Sequence, residues 1–142
     1  MPHDPPPPPP HPSLGRRIWN RWFGDRGERE AARYLRKRGM RIIERNYRTA
    51  QGEIDLIVRD GDTLVFVEVK SRRAGQPAEA VTPAKQQRLT LAALHYLRRH
   101  DLLEQRCRFD VVAIVWPVGR QIPTIDHIPH AFEAVGRNQM FR

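Results

Sequence analysis

The stretch Gly52–Lys70, Gly-Glu-Ile-Asp-Leu-Ile-Val-Arg-Asp-Gly-Asp-Thr-Leu-Val-Phe-Val-Glu-Val-Lys, leaves little choice of local fold. Two runs of Val, Ile, Leu and Phe flank Asp60-Gly61, a pair suited to the positive φ angles of a tight turn, so the stretch predicts a β-hairpin. With Asp60 and Gly61 as the turn residues, Arg59 faces Asp62, Asp55 faces Phe66 and Glu53 faces Glu68. Side chains alternate along a strand, so Asp55, Glu68 and Lys70 share one face, and Val65, Val67 and Val69 line the other with Ile54 and Leu56. Two carboxylates and one ammonium therefore converge on a single patch. Acids are poor strand formers, and charges among apolar strand residues are costly unless paired, hydrated or bound to a metal. One reading is a salt bridge from Lys70 to a carboxylate on a solvated face. The apolar setting favours the other, a metal site.

The rest of the composition narrows the partners. At 142 residues and 39% hydrophobic content, the chain suits one soluble domain with a real core. Its longest apolar run, Val111 to Trp116, is too short to span a bilayer, and no signal-peptide segment opens the chain; a cytoplasmic, membrane-free protein is expected. A single cysteine, Cys107, excludes an internal disulfide and a cysteine-rich zinc site and reads as a small packing residue. The six histidines show no zinc-enzyme spacing. A net charge of +9 points to a polyanionic partner, nucleic acid first.

Along the chain, Pro5–Pro10 predicts a disordered polyproline tail over residues 1–12. A short basic helix carrying Trp19 and Trp22 is expected over 13–24, either gripping nucleic acid or docking on the core. Asp25-Arg-Gly-Glu28 has the form of a capping box, so a separate helix is expected from Arg26 to Arg38, stopped by Gly39. That helix would aim Glu28 at the hairpin patch or use it only as a cap. Met40–Tyr47 reads as a strand preceding the hairpin. Arg72 and Arg73 open a basic loop beside the acids. Thr82-Pro83 marks a helix start, with Lys85 and Gln86 in the first turn, where an anion such as phosphate would be received. Phe109–Trp116 reads as a buried central strand reached by that helix and parallel to a neighbour, with Asp110 marking its entry. Ile122–Ile128 suits an edge strand, Pro129 the start of a short helix carrying Ala131, Phe132 and Val135, and 137–142 a tail after a domain spanning 25–136.

The order helix, three-strand meander, helix, strand, with Asp55 and Glu68-Val69-Lys70 on the hairpin, resembles the PD-(D/E)xK nuclease superfamily. The phrases Gly-Glu-Ile-Asp-Leu-Ile (52–57), Val-Phe-Val-Glu-Val-Lys (65–70), Thr-Pro-Ala-Lys-Gln (82–86) and Arg-Phe-Asp-Val-Val (108–112) are similar, more narrowly, to the bacterial YraN-type family. The resemblance runs from about Gly27 to Val115. It implies an α/β fold of restriction-endonuclease-like αβββαβ type, a mixed central sheet flanked by helices, similar to Holliday-junction resolvases. It further implies metal-binding carboxylates at Asp55 and Glu68 with the Val69 carbonyl, the superfamily lysine at Lys70, and a first-helix acid at Glu28. Arg72, Arg73, Lys85 and Gln86 would hold the nucleic-acid backbone. Ile54 stands where the superfamily name has proline, a common departure that leaves the chemistry intact.

The expected activity is Mg2+-dependent hydrolysis of DNA phosphodiesters, with Mn2+ as a substitute ion and branched DNA as one substrate form. A junction-cutting protein would need two sites and hence a homodimer, which the sequence does not show. The alternative is a nucleic-acid-binding protein on a nuclease fold with weak or no hydrolysis, on DNA or RNA.

Overall fold

The computed structural model describes residues 14–119 and 122–134, with side chains from Asp25 onward. Its elements are α1 (Leu14–Lys37), β1 (Arg41–Arg48), β2 (Glu53–Asp60), β3 (Thr63–Arg73), α2 (Pro83–Arg99), β4 (Cys107–Trp116) and β5 (Thr124–Phe132). The strands form one mixed sheet in the order β1-β2-β3-β4-β5. β1, β2 and β3 are an antiparallel meander, α2 carries the chain to a β4 parallel to β3, and β5 returns antiparallel. This is the expected mixed α/β architecture, consistent with a restriction-endonuclease-like core.

Each helix covers one face. Ala31, Ala32 and Leu35 of α1 pack with Leu56, Val58, Val65, Val67, Val112, Ile114 and Trp116. On the other face, Leu89, Ala92, Ala93, Tyr96 and Leu97 of α2 pack with Tyr47, Ile54, Ile57, Leu64, Phe66 and Phe109. Both faces are apolar, which is why β3 reads as a nearly unbroken hydrophobic run instead of an alternating one. Burying side chains such as Phe66 and Leu56 contributes about 1.5–3 kcal/mol each.

Several boundaries differ from expectation. The helix through Asp25 is not capped there: α1 runs unbroken from Leu14 to Lys37. Local cap chemistry is a weak preference that packing overrides. A break at that point would also disturb the seating of Gly27, whose added Cβ would lie 2.2 Å from Ser71 Oγ. Gly39 does end the helix, with φ +86°.

The hairpin turn shifts as well: Asp60 pairs with Thr63, so the loop residues are Gly61 and Asp62. Gly61 takes φ +60° at the first loop position, where a type II′ turn places glycine. Asp55 therefore comes level with Glu68 rather than Phe66, and Glu53 no longer faces Glu68. The two pairings differ by two residues in total, so Asp55, Glu68 and Lys70 keep their expected faces. Ile54 does not: it joins the α2-side core with Ile57, while Leu56 stays on the α1 side, so strict alternation fails next to Asp55.

At the far end, β5 continues through Pro129 to Phe132 where a short helix was expected; proline is tolerated because β5 is an edge strand. Residues 1–12, 137–142 and Val135, and the side chains of Trp19 and Trp22, lie outside the described residues. Among the described residues, no helix is long and apolar enough to cross a membrane.

Candidate metal centre at the open end of the hairpin

The β2–β3 ladder is regular from Asp60↔Thr63 to Leu56↔Val67 and stops there. Beyond it the Val69 N–H donates not to a backbone carbonyl but to Asp55 Oδ2, at 2.8 Å. A side chain has replaced a ladder bond, and the strands part around it. Glu68, on the adjoining β3 residue, is 5% exposed and in hydrogen-bonding contact with Asp55.

Burial and the neighbouring Glu68 charge push the Asp55 carboxyl up to about 8, against the pull of the Val69 hydrogen bond; Glu28 adds a smaller push. Glu28 is itself raised, first by burial and then by Asp25 and Glu53, while Asn46 and Arg45 oppose the rise. With its nitrogen turned toward Glu28, the Asn46 amide donates at 3.2 and 3.1 Å. Asn46 sits at φ +52°, a conformation asparagine tolerates better than most residues. The close approach of α1 at Gly27 brings Glu28 to this corner of the sheet.

Lys85 pairs with the buried acid: its Nζ lies 2.5 Å from Glu68 Oε1. Thr82 caps α2, accepting from Lys85 N at 3.2 Å, and Pro83 follows as expected. Lys70 is half-buried, two residues from Glu68 on the same face, and has no ion-pair partner among the described residues. The cross-strand salt bridge to Lys70 is therefore absent; the Glu68 pair reaches to α2 instead.

Gln86 and Arg72 are committed locally. Gln86 Nε2 donates to Val81 O at 2.9 Å, and Arg72 Nη1 to Gln76 O at 2.7 Å, which fastens the loop after β3. Arg73 is exposed beside that loop. Asp55, Glu68 and Lys85 thus converge, with Glu28 near Asp55 and Lys70 two residues beyond Glu68, while Arg72, Arg73 and Gln86 make their described bonds locally.

Among the described residues, no group of three or more His, Cys, Asp or Glu side chains is arranged to hold a metal. A buried pair of adjoining carboxyls, one of them raised by burial and then by its neighbour, still suits a divalent cation. Neutralising charge would release the Asp55 proton, and Mg2+ needs only one or two carboxylates because it keeps several waters. The donor set fits a hydrated hard ion and does not fit a fully protein-ligated one.

A second charged cluster escaped sequence reading. Asp110, fully buried on β4, accepts from Arg108 Nε at 3.0 Å, His127 Nε2 at 2.8 Å and His130 N at 3.2 Å. Arg108 Nη2 also donates to Asp60 at 2.9 Å. Burial alone would lower the Arg108 guanidinium, but its bonds to Asp110 and Asp60 raise it. Asp110 thus anchors β4 to β5 rather than merely marking a strand entry. An acid inside an apolar run was the available signal; its partner on β5 was not readable. Cys107 is buried as expected, its thiol pushed up to about 12 by desolvation.

Comparison with known sequences shows the family. Residues 27–114 match the model of the uncharacterised protein family UPF0102. A UPF0102 protein of Anaeromyxobacter dehalogenans is 48% identical over 118 residues, covering 81% of this chain and 87% of its own. One from Rhodococcus opacus is 53% identical over 113 residues, 78% of this chain and 95% of its own. One from Geobacter sulfurreducens is 50% identical over 117 residues, 80% and 91% respectively.

Proposed function

We propose that this chain, which belongs to the UPF0102 family, is a Mg2+-dependent phosphodiesterase acting on DNA in the cytoplasm. The observation that carries the reading is the buried carboxyl pair: Asp55, held by the Val69 N–H at 2.8 Å, adjoins Glu68, which is 5% exposed, at the point where the β2–β3 pairing ends. Such a pair is costly for a scaffold and useful for binding a cation. Asp55, Glu68 and the Val69 carbonyl would hold the ion, with Glu28 on an outer water. When bound, the ion supplies Lewis acidity toward a phosphate oxygen and water.

The protein's own groups supply the rest. The Val69 N–H fixes the Asp55 carboxyl in place. Lys70, with no ion pair among the described residues, would stand beside the phosphate, orient the attacking water and offset charge as the new P–O bond forms and the leaving oxygen departs. Lys85, Arg72 and Arg73 hold the backbone without reading sequence, and Gln86 keeps the start of α2 in place. Mn2+ would substitute for Mg2+, and a homodimer would present two such sites to a branched substrate.

A second reading is favoured by one observation: Lys85 already neutralises Glu68, as in a binding module that needs no metal, on DNA or RNA. Cleavage of labelled single-stranded, duplex, flap and four-way-junction DNA in Mg2+, Mn2+ or EDTA separates the two. Metal-dependent cutting that disappears in Lys70→Ala supports the enzyme. Binding without cutting in every metal leaves the binding module.

A further inference from the structure

Away from the carboxyls, the turn between β1 and β2 lies against the outer side of α2. Thr49 ties this turn: its N–H donates to Gly52 O at 2.8 Å, and its Oγ1 accepts from Gln51 N and Gly52 N at 3.2 and 3.1 Å. Gly52 then presses on α2 so closely that a Cβ would stand 2.7 Å from Arg88 O. Between turn and helix lies a groove of about 420 Å³ lined by Gln51, Leu91, Leu94, His95, Arg98 and Arg99. That volume falls in the range of small-ligand sites.

The lining has a division of labour. Arg98 and Arg99 are exposed in the last turn of α2 and have no ion pair among the described residues. His95 Nδ1 is held by Tyr47 OH at 2.5 Å, which fixes the imidazole plane at the groove wall. Leu91 is 37% exposed in the groove. Gln51, at the tip of the turn, is exposed and offers an amide. Two cations, a fixed aromatic plane, an apolar floor and one amide match a nucleotide: phosphates to arginine, base to imidazole and leucine, base edge to amide.

We infer that this groove is a second nucleic-acid site, which takes an unpaired nucleotide of the strand whose phosphodiester lies at the hairpin. It rests on the nucleic-acid reading above and adds a preference for substrates with a single-stranded end. Lys85 and Arg98 are thirteen residues apart on one helix, or about 20 Å along its axis.

The test compares a blunt DNA duplex with the same duplex bearing an eight-nucleotide single-stranded tail. Affinity is measured by fluorescence anisotropy over a salt series, with the full chain and with Arg98→Ala/Arg99→Ala. The tailed duplex is expected to bind the full chain about tenfold more tightly, as one stacked base and two phosphate contacts would give. The double variant is expected to lose that preference, with a shallower salt dependence for the tailed DNA and unchanged affinity for the blunt one. Equal binding of both DNAs by the full chain, or a preference that survives in the variant, overturns the groove. Cutting of blunt duplex alongside either result leaves the phosphodiesterase standing. A tail preference lost in the variant, in a protein that cuts nothing, keeps the groove and removes the enzyme.

Discussion

Two pairs of acids sit in this sheet, and their surroundings differ sharply. Asp110 and Asp60 share Arg108, and Asp110 also receives His127 Nε2 and the His130 amide. Asp55 and Glu68 adjoin each other with Glu28 nearby, against one lysine and one backbone N–H. The first cluster is satisfied and joins β4 to β5; the second has fewer donors than acids, and burial with the neighbouring Glu68 raises Asp55 far above the ordinary carboxylate range. The presence of an acid in a strand says little; the number of its donors separates an anchor from a site.

The largest test of that contrast removes an acid from each cluster. Asp110→Ala leaves Arg108 buried without its main partner and should lower unfolding free energy by about 3–5 kcal/mol in urea titrations. Asp55→Asn at pH 8 should leave stability equal or higher. Comparable losses from the two variants would remove the distinction.

Next comes pH. A carboxyl raised from 3.8 to about 8 binds its proton more tightly in the native state, so its favourable contribution is complete below about pH 4. It is lost as pH rises to about 8, a change on the order of a few kcal/mol. Thermal melts should show this decline in the parent, should lose most of it in Asp55→Asn, and should show Mg2+ restoring stability more at pH 8 than at pH 6. Melts indifferent to Mg2+ at pH 8 would count against a metal at this corner.

A smaller effect is expected from Gly27→Ala. The added methyl collides with Ser71 Oγ and should cost about 1–3 kcal/mol as α1 lifts. Glu28 would retreat with it, weakening Mg2+ affinity in calorimetry while the Asp110 cluster holds. The smallest stability change belongs to Lys70→Ala: with no ion pair to lose, it should shift unfolding by under about 0.5 kcal/mol while ending cleavage.

Much of this was legible in sequence because it depends on local chemistry. Two apolar runs about Asp60-Gly61 pointed to the hairpin, Thr82-Pro83 to the start of α2, and Phe109–Trp116 to the buried parallel strand. The convergence of Asp55 with Glu68 was legible too, since either turn assignment keeps the same parity. What resisted reading depends on distant partners. Asp60-Gly61 and Gly61-Asp62 both give a two-residue turn with Gly61 at positive φ, and only pairing across the strands decides between them. The Lys85–Glu68 pair requires knowing how close the start of α2 comes to β3. His127 meets Asp110 because β5 lies beside β4, which no local pattern announces. The false cap at Asp25 shows the converse, a correct local motif overruled by helix packing.

Val69 stands between the acid and the lysine of the hairpin, and its contribution to the corner runs through its main-chain N–H to Asp55. Any of the twenty residues but proline carries that donor. The position can therefore drift among side chains that suit the α1-side core while the Asp55 carboxyl stays aimed. A spacer that looks freely variable in the written motif is, in three dimensions, a fixed hydrogen-bond donor.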